Sequence, residues 1–153
     1  MKAVIMAGGM GSRLRPLTCD LPKPMVPVLN RPVMEHIIKL LKRQGIIDIA
    51  VTTFYLPQII EDYFEDGGRW GVNLHYYIEE KPLGTAGSVQ NAADFLDETF
   101  IVISGDAITD FNLQPAIEFH RQSGAEGTLV LSRENIPLDY GVVMTDGEGK
   151  IIR

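Results

Sequence analysis

The chain has 153 residues and a net charge of −6, and 45% of its residues are hydrophobic. This composition is typical of a globular domain with a real core, and no apolar run approaches the ~20 residues of a membrane span. Residues 1–31 carry five basic residues against one acidic residue (+4), whereas the rest of the chain carries nine against nineteen (−10). One basic segment in an acidic chain excludes a general nucleic-acid binder and indicates contact with a small anion. The single cysteine, Cys19, favours a reducing, cytoplasmic location.

Apolar segments of strand length alternate with segments of helical periodicity along the whole chain. We predict strands at Lys2–Met6, Ile47–Thr53, Val72–Ile78, Phe100–Ser104 and Gly127–Ser132. We predict helices at Arg31–Gln44, Gln58–Glu65, Gly84–Leu96 with Thr85 as its N-cap, and Leu113–Gln122, followed by a hairpin of Gly141–Met144 and Lys150–Ile152. The alternation predicts an α/β fold, a Rossmann-like three-layer sandwich with a mostly parallel sheet. In such sheets the ligand binds at the carboxyl ends of the strands.

The most informative segment is the glycine-rich loop that follows the first strand, AGGMGSRLRPLTCDLPKPMVP, residues 7–27. Glycines allow the backbone to approach a ligand closely, and successive N–H groups in such a loop can bind an anion. Arg13, Arg15 and Lys23 supply the counter-charges that phosphate needs. The loop therefore predicts a phosphate site, and the alternative is a surface turn with exposed cations.

Two standard phosphate motifs do not fit this loop. A Walker A loop has Lys and Ser or Thr after its last glycine and runs into a helix, whereas here Ser12 and Arg13 follow Gly11, and Pro16 disturbs any helix. A dinucleotide fingerprint needs a third glycine where this chain has Leu14, and an acid after the second strand, where none is found. What remains is a turn that gathers backbone amides, Arg13 and Lys23 around a polyphosphate.

Two further segments are candidates for the same site. Pro82–Gly87 contains two glycines that permit close approach of a flat ring, although a plain helix start is the alternative. Asp106 follows Gly105 at the end of an apolar strand, where a carboxylate would face the ligand or would serve as a turn residue. Asp110 is a weaker candidate than Asp106 for a carboxylate that faces the ligand.

These motifs together resemble those of the sugar-phosphate nucleotidylyltransferases. The family signature, G-G-x-G-[ST]-R-L-x-P-L-T followed by P-K-P, is matched throughout, and EKPLGTAG, SGD and DYGVV continue the resemblance along the chain. Within the family, PKPMVPVLNRPVMEHII with EEKPLGTAGSV most resembles the bacterial mannose-1-phosphate guanylyltransferases. The resemblance implies transfer of a nucleotidyl group from an NTP, GTP in this branch, to mannose-1-phosphate, giving the NDP-sugar and pyrophosphate.

The resemblance also implies a role for each matching residue. Arg13 and Lys23 would be catalytic, with Arg13 holding the leaving phosphates and Lys23 contacting the α-phosphate or the incoming sugar phosphate. Asp106 would bind Mg²⁺. The nucleotide-binding positions implied are Ala7, Gly8, Gly9, Gly11, Ser12, Pro82, Gly84, Thr85 and Gly87. Gly141 would offer its N–H to a sugar hydroxyl.

The family's catalytic domain extends beyond the segment that this sequence matches. Its second E-K-P motif and second metal-binding aspartate are not found here, so we expect residues 1–153 to be the N-terminal, nucleotide-binding part of the domain, with no second domain. We expect weak activity or none from this chain alone, and we expect the remainder of the domain or another copy to cover its apolar edges. The expected partners are an NTP and a sugar-1-phosphate, with no nucleic acid and no membrane.

Three alternative functions stay open at this point. They are a glucose-1-phosphate uridylyl- or thymidylyltransferase, a nucleotide-sugar sensor that has lost the chemistry, and an interaction scaffold. Retention of Arg13, Lys23 and Asp106 favours an enzyme over a sensor.

Overall fold

The computed structural model of the chain describes residues 1–133 and 141–152. These residues belong to two compact units, Met1–Asn112 and Leu113–Arg153. Asp139 and Tyr140, which begin the DYGVV motif, lie outside the described residues. The elements in chain order are β1 (Lys2–Met6), β2 (Pro27–Val28), β3 (Arg31–Pro32), α1 (Val33–Arg43), β4 (Asp48–Thr53), α2 (Pro57–Phe64), β5 (Asn73–Ile78), α3 (Gly84–Asn91), β6 (Phe100–Ser104) and α4 (Gln114–Ser123).

The first unit is built on a four-stranded sheet with the strand order β5-β4-β1-β6. All three pairings are parallel, and Met6 at the end of β1 lies between Thr52 of β4 and Ser104 of β6. The chain first moves outward from β1 to β4 and β5, and then returns to the other side of β1. The predicted α/β fold with a parallel sheet is therefore confirmed.

The helices cover both faces of this sheet. Val4, Ala50 and Ala92 form a buried cluster, with Val89 of α3 packed against it, so α3 lies on the face to which Val4 points. Parallel crossovers are right-handed, and the two that run outward from β1 place α1 and α2 on the opposite face. The sheet thus forms the middle layer of three.

Helix α1 supplies much of the core because its apolar residues recur every three or four positions. Ile37, Leu40 and Leu41 are all buried. The helix ends at Arg43, and Gly45 follows with φ of 79°, a conformation that glycine adopts without strain. Because Pro32 is drawn into a two-stranded ribbon of β2 and β3, the helix starts two residues later than predicted.

Two predicted features of the third helix are wrong. The helix ends at Asn91 instead of Leu96, and Ala92 and Ala93 continue as hydrogen-bonded turns. Leu83 occupies the N-cap position and Thr85 lies inside the helix, so Thr85 is not the cap. The helix begins at Gly84, which has φ of 71°, so Thr85 is already the second helical residue and cannot be the cap.

The second unit contains α4 and a small hairpin but not the fifth predicted strand. Residues 127–132 have no strand partner among the described residues, and Leu129, Val130 and Leu131 are exposed. The predicted hairpin is present in reduced form, as a single antiparallel bridge between Thr145 and Ile151. Within the described residues, no helix is both long and apolar enough to cross a membrane.

Candidate active site

The carboxyl ends of β1 and β6 form the floor of the candidate site. The strand order changes direction at β1, because the chain runs outward to β4 and β5 and then returns to β6 on the other side of β1, and open α/β sheets bind ligands where the strand order reverses. The Gly105 N–H donates to the Met6 carbonyl oxygen at 2.8 Å, which ties the loop after β6 to β1. A Cβ on Gly105 would lie 2.9 Å from that same oxygen, so the close approach requires glycine.

The glycine-rich loop begins directly after β1 and is held by hydrogen bonds to the sheet and within the loop. The Ala7 N–H donates to the Thr52 carbonyl oxygen at 2.8 Å, and the Thr18 hydroxyl donates to the Gly11 carbonyl oxygen at 2.7 Å. Gly11 has φ of 60°, and a Cβ there would lie 2.9 Å from Thr18 Cγ2. The Tyr55 hydroxyl donates to the Cys19 carbonyl oxygen at 2.6 Å and fixes the returning half of the loop. The loop is therefore a preformed element of the site.

Lys23 and Asp106 meet above this floor. Lys23 opens a 3₁₀ turn that is anchored by the buried Pro24 and Met25, and its Nζ forms an ion pair with Asp106 Oδ2. The Ser104 hydroxyl donates to the other carboxylate oxygen. Burial acts to raise the pKa of Asp106, but the hydrogen bonds from Lys23 and Ser104 and the lysine charge outweigh it, so this pKa lies below its usual value.

Glu79 places a second carboxylate in the site, on the side of α3. It follows β5 directly, and the side chain is almost fully buried, with 6% of the residue exposed. The Ser88 hydroxyl donates to Glu79 Oε1 at 2.5 Å, and the Leu83 N–H donates to Oε2 at 3.1 Å. The carboxylate therefore joins the end of the sheet to the first two turns of α3.

These groups surround a single cleft of about 290 Å³. Its lining comes from the loop after β1, the Lys23 turn, the start of α3 and the end of β6. The lining residues are Met6, Ala7, Gly8, Gly9, Lys23, Pro24, Glu79, Pro82, Gly84, Thr85, Ser88, Ser104 and Asp106. Eight of them were predicted as site residues from the sequence. The fold brings the glycine loop, the start of α3, Lys23 and Asp106 to one cleft.

Four other predicted residues of the first unit lie beside the cleft without lining it. Ser12 and Arg13 form an exposed 3₁₀ turn, and Gly11 faces Thr18 and the Lys23 Cβ from within the loop. Gly87 lies on α3, where a Cβ would be 2.8 Å from Leu83 Cβ, so its glycine serves packing at the helix start. The predicted sugar-side residue, Gly141, belongs to the second unit.

The carboxylates at the cleft could hold a metal ion together with substrate phosphates, but they could not enclose one by themselves. Among the described residues, no group of three or more His, Cys, Asp or Glu side chains could enclose a metal ion. Mg²⁺ is ordinarily held by one or two carboxylates together with substrate phosphates and water, which the single Asp106 carboxylate fits. Asp110 is exposed and lines a separate concavity with basic residues of α1.

Several lining residues were not predicted from the sequence, and Glu79 is the most distinctive of them. The signal available was an acidic residue directly after an apolar strand, at the same sheet edge as Asp106. Glu80 follows it, however, and the sequence does not show which of the two carboxylates turns inward. Ser88 and Ser104 were also missed because serine is common on helices and at strand ends.

The structure defines an α/β protein with a cleft at the carboxyl ends of its parallel strands, and comparison with known proteins identifies its family. The profile described as "Nucleotidyl transferase" matches residues 2–153. The chain therefore belongs to the nucleotidyl transferase family.

Its relatives include sugar-phosphate nucleotidylyltransferases of two specificities. A UTP–glucose-1-phosphate uridylyltransferase of Synechocystis is 42% identical over 99% of this chain, and a mannose-1-phosphate guanylyltransferase of Mycobacterium tuberculosis is 38% identical over 98%. The chain covers 43% and 42% of these two proteins, so it spans less than half the length of the curated relatives it matches.

A solved structure gives the same result for the fold. HddC from Yersinia pseudotuberculosis, crystallised with GMP-PN, superposes with a TM-score of 0.70 at 32% identity. The superposition covers 78% of this chain and 53% of HddC.

Proposed function

We propose that this chain is the nucleotide-binding part of an enzyme that transfers a guanylyl group from GTP to mannose-1-phosphate. The observation that carries the proposal is the Lys23–Asp106 ion pair, which stands at the edge of a preformed glycine loop in a family of nucleotidyl transferases. A cation and an anion that neutralise each other can exchange partners when a nucleotide and its metal ion arrive.

The reaction needs positioning and charge neutralisation but no protein nucleophile. An oxygen of the sugar phosphate attacks the α-phosphorus and forms a new P–O bond. The bond from the α-phosphorus to the bridging oxygen breaks, and pyrophosphate leaves with its electron pair. Lys23 would turn from Asp106 to the α-phosphate, and Arg13, on its exposed turn, would meet the leaving phosphates.

Asp106 is the residue that would hold Mg²⁺. Its pKa lies below its usual value, which favours the anionic carboxylate, and Ser104 fixes its orientation. A Mg²⁺ ion held by Asp106 would supply positive charge that neutralises the phosphates. Dependence on Mg²⁺ and the cytoplasmic location stay predictions.

A second specificity has its own support. The Synechocystis relative is named a UTP–glucose-1-phosphate uridylyltransferase and is 42% identical to this chain. Against it stand the guanylyltransferase relative and the HddC structure with a guanine nucleotide analogue. UTP with glucose-1-phosphate is therefore the alternative substrate pair.

The proposal is tested by nucleotide binding and by product formation. Isothermal titration of the chain with GTP, UTP, dTTP and ATP in the presence of Mg²⁺ should show binding of GTP. Lys23→Met should weaken that binding about tenfold or more, because a charge-assisted contact to phosphate is lost. Pyrophosphate release from GTP and mannose-1-phosphate then measures whether the chain alone turns over.

Lys150→Met is the matched control, because Lys150 is an exposed lysine of the second unit. It should bind GTP as the wild type does. A wild-type chain that binds no nucleotide with Mg²⁺ would overturn the proposal, and preference for UTP would move it to the alternative substrate pair.

A further inference from the structure

The Lys23–Asp106 ion pair uses the same carboxylate that a metal ion in the cleft would need. The Lys23 ammonium group contacts Asp106 Oδ2, and the Ser104 hydroxyl donates to Oδ1, so each oxygen already has a donor. The cleft lining supplies one further carboxylate, Glu79, which accepts a hydrogen bond at each of its own oxygens. Asp106 is therefore the carboxylate of the cleft for which a lysine and a divalent cation compete.

The ammonium group and a divalent cation repel each other when both contact this carboxylate. Mg²⁺ binds oxygen ligands at about 2.0–2.1 Å, so an ion on Asp106 would lie close to a lysine that kept its own contact there. The side chains of Lys23 and Asp106 are both partly buried, and water screens the repulsion between the two cations only in part. A metal ion therefore binds Asp106 well only after the Lys23 ammonium group has moved away.

A nucleotide offers Lys23 an alternative partner, and a metal ion alone does not. The phosphates of a nucleoside triphosphate would bring several anionic oxygens into the cleft that Lys23 lines. The backbone of the Lys23 turn is anchored by the buried Pro24 and Met25, whereas the lysine itself has a flexible four-carbon stem. Rotation of one side chain about a fixed turn is therefore enough to uncover Asp106.

We propose that Lys23 excludes divalent cations from Asp106 until the phosphates of a bound nucleotide draw its ammonium group away. This inference rests on the proposed function and gives Lys23 a second role beside its contact with the α-phosphate. It makes the binding of nucleotide and of metal mutually dependent, because each ligand takes one partner of the ion pair. Removal of either partner should then have opposite effects on the two ligands.

The first test measures the binding of Mn²⁺ alone, without nucleotide, to the 153-residue chain. Mn²⁺ takes the same oxygen ligands as Mg²⁺, and the electron paramagnetic resonance signal of the free ion reports how much of it is bound. Lys23→Met should bind Mn²⁺ about 10-fold more tightly than the wild type, because the competing ammonium group is gone. Lys23→Arg is the matched control, since it keeps a cation and should keep the weak binding of the wild type.

Asp106→Asn identifies the group that gains the ion. Added to Lys23→Met, this change should abolish the gain in Mn²⁺ affinity. A gain that survived it would place the ion at another group, such as Glu79, and would overturn the inference. Equal Mn²⁺ affinities of the wild type and Lys23→Met would overturn it as well. A damaged fold would weaken binding, so the expected gain has no explanation in misfolding.

The second test measures the binding of GTP in the presence of EDTA, which removes metal ions. The wild-type chain must break the ion pair to bind the phosphates, and the released Asp106 carboxylate then repels them. Asp106→Asn should therefore bind metal-free GTP about 10-fold more tightly than the wild type, and should bind GTP with Mg²⁺ more weakly. A residue that only supports the fold would lower both affinities, and that result would contradict the inference.

The outcomes separate this inference from the proposal on which it rests. If the wild type binds GTP with Mg²⁺ but Lys23→Met gains no affinity for Mn²⁺, the exclusion of metal by Lys23 fails and the proposed function stands. If the wild type binds no nucleotide under either condition, both fail. Tighter Mn²⁺ binding by Lys23→Met, together with tighter metal-free GTP binding by Asp106→Asn, supports the inference.

Discussion

Similar apolar sequences are buried in the first unit of this chain and exposed in the second. In the first unit, β1 and β4 carry apolar residues that are completely buried, such as Ile5 and Val51. In the second, residues 127–132 have a comparable apolar pattern, yet Leu129 is 60% exposed and no strand forms there. Leu113 is the one buried residue in the described part of the second unit.

The difference shows that a strand needs neighbours as well as an apolar pattern. β1 has a parallel partner on each side and a helical layer on each face. Among the described residues β6 pairs only with β1, and its Phe100 and Val102 are partly exposed. Burial of apolar area is the main gain that offsets ordering of the backbone, so the same residues contribute little stability where nothing covers them.

The largest expected effect tests this comparison with one pair of phenylalanines. Phe64 of α2 is fully buried, whereas Phe119 of α4 is 47% exposed. Phe64→Ala should lower the free energy of unfolding by about 3–5 kcal/mol because it leaves a cavity. Phe119→Ala should change it by less than about 1 kcal/mol. Urea denaturation followed by circular dichroism measures both, and equal losses would show that the two units are equally packed.

A second pair of variants compares the tightly packed Gly105, beside the cleft, with the unpacked Gly127 of the second unit. A Cβ on Gly105 would lie 2.9 Å from the Met6 carbonyl oxygen, whereas a Cβ on Gly127 would meet no atom within 4 Å. Gly105→Ala should destabilise the chain by about 1–3 kcal/mol because backbone must shift, and it should displace Asp106. Gly127→Ala should stay within about 0.5 kcal/mol of the wild type.

Thermal unfolding and GTP titration distinguish the two glycine variants. We expect Gly105→Ala to lose both stability and nucleotide affinity, and Gly127→Ala to keep both. Wild-type behaviour of Gly105→Ala would mean that the loop after β6 is not tightly held against β1.

The smallest expected effect is the loss, at acid pH, of the stability that Asp106 contributes. The pKa of Asp106 is lowered in the folded chain, so its carboxylate stabilises the fold above the unfolded pKa of about 3.9 and stops doing so as pH falls through the lower folded value. Asp106→Asn should therefore be less stable than the wild type near neutral pH. Because the side chains of Lys23 and Asp106 are 34% and 27% exposed, the difference should be below about 1 kcal/mol.

Urea denaturation at pH 7, 5, 4 and 2.5 measures this difference, which should shrink toward the lowest pH. Combining Asp106→Asn with Lys23→Met isolates the pair, since removal of the lysine should abolish most of the pH dependence. A stability difference that stays constant down to pH 2.5 would show that the ion pair does not stabilise the fold.

Much of the site was predictable because parallel strands bring their carboxyl ends to one edge. The glycine loop after β1 and Asp106 after β6 were assigned to that edge because each follows a predicted parallel strand, and Lys23 was grouped with them as a counter-charge for phosphate and by the family motif. Glu79 was not predicted, since its inward direction depends on the hydrogen bonds from Ser88 and Leu83. Those bonds exist only when α3 is packed beside the end of β5.

The sequence by itself determined the parallel α/β architecture, the family and the residues that supply phosphate-binding charge, because these follow from local periodicity and a long, specific motif. Only the tertiary structure decided that Lys23 and Asp106 neutralise each other, that Glu79 rather than Glu80 is buried, and that residues 127–132 form no strand. Each of these depends on which groups come into contact, since burial and pairing are properties of neighbours distant in the chain.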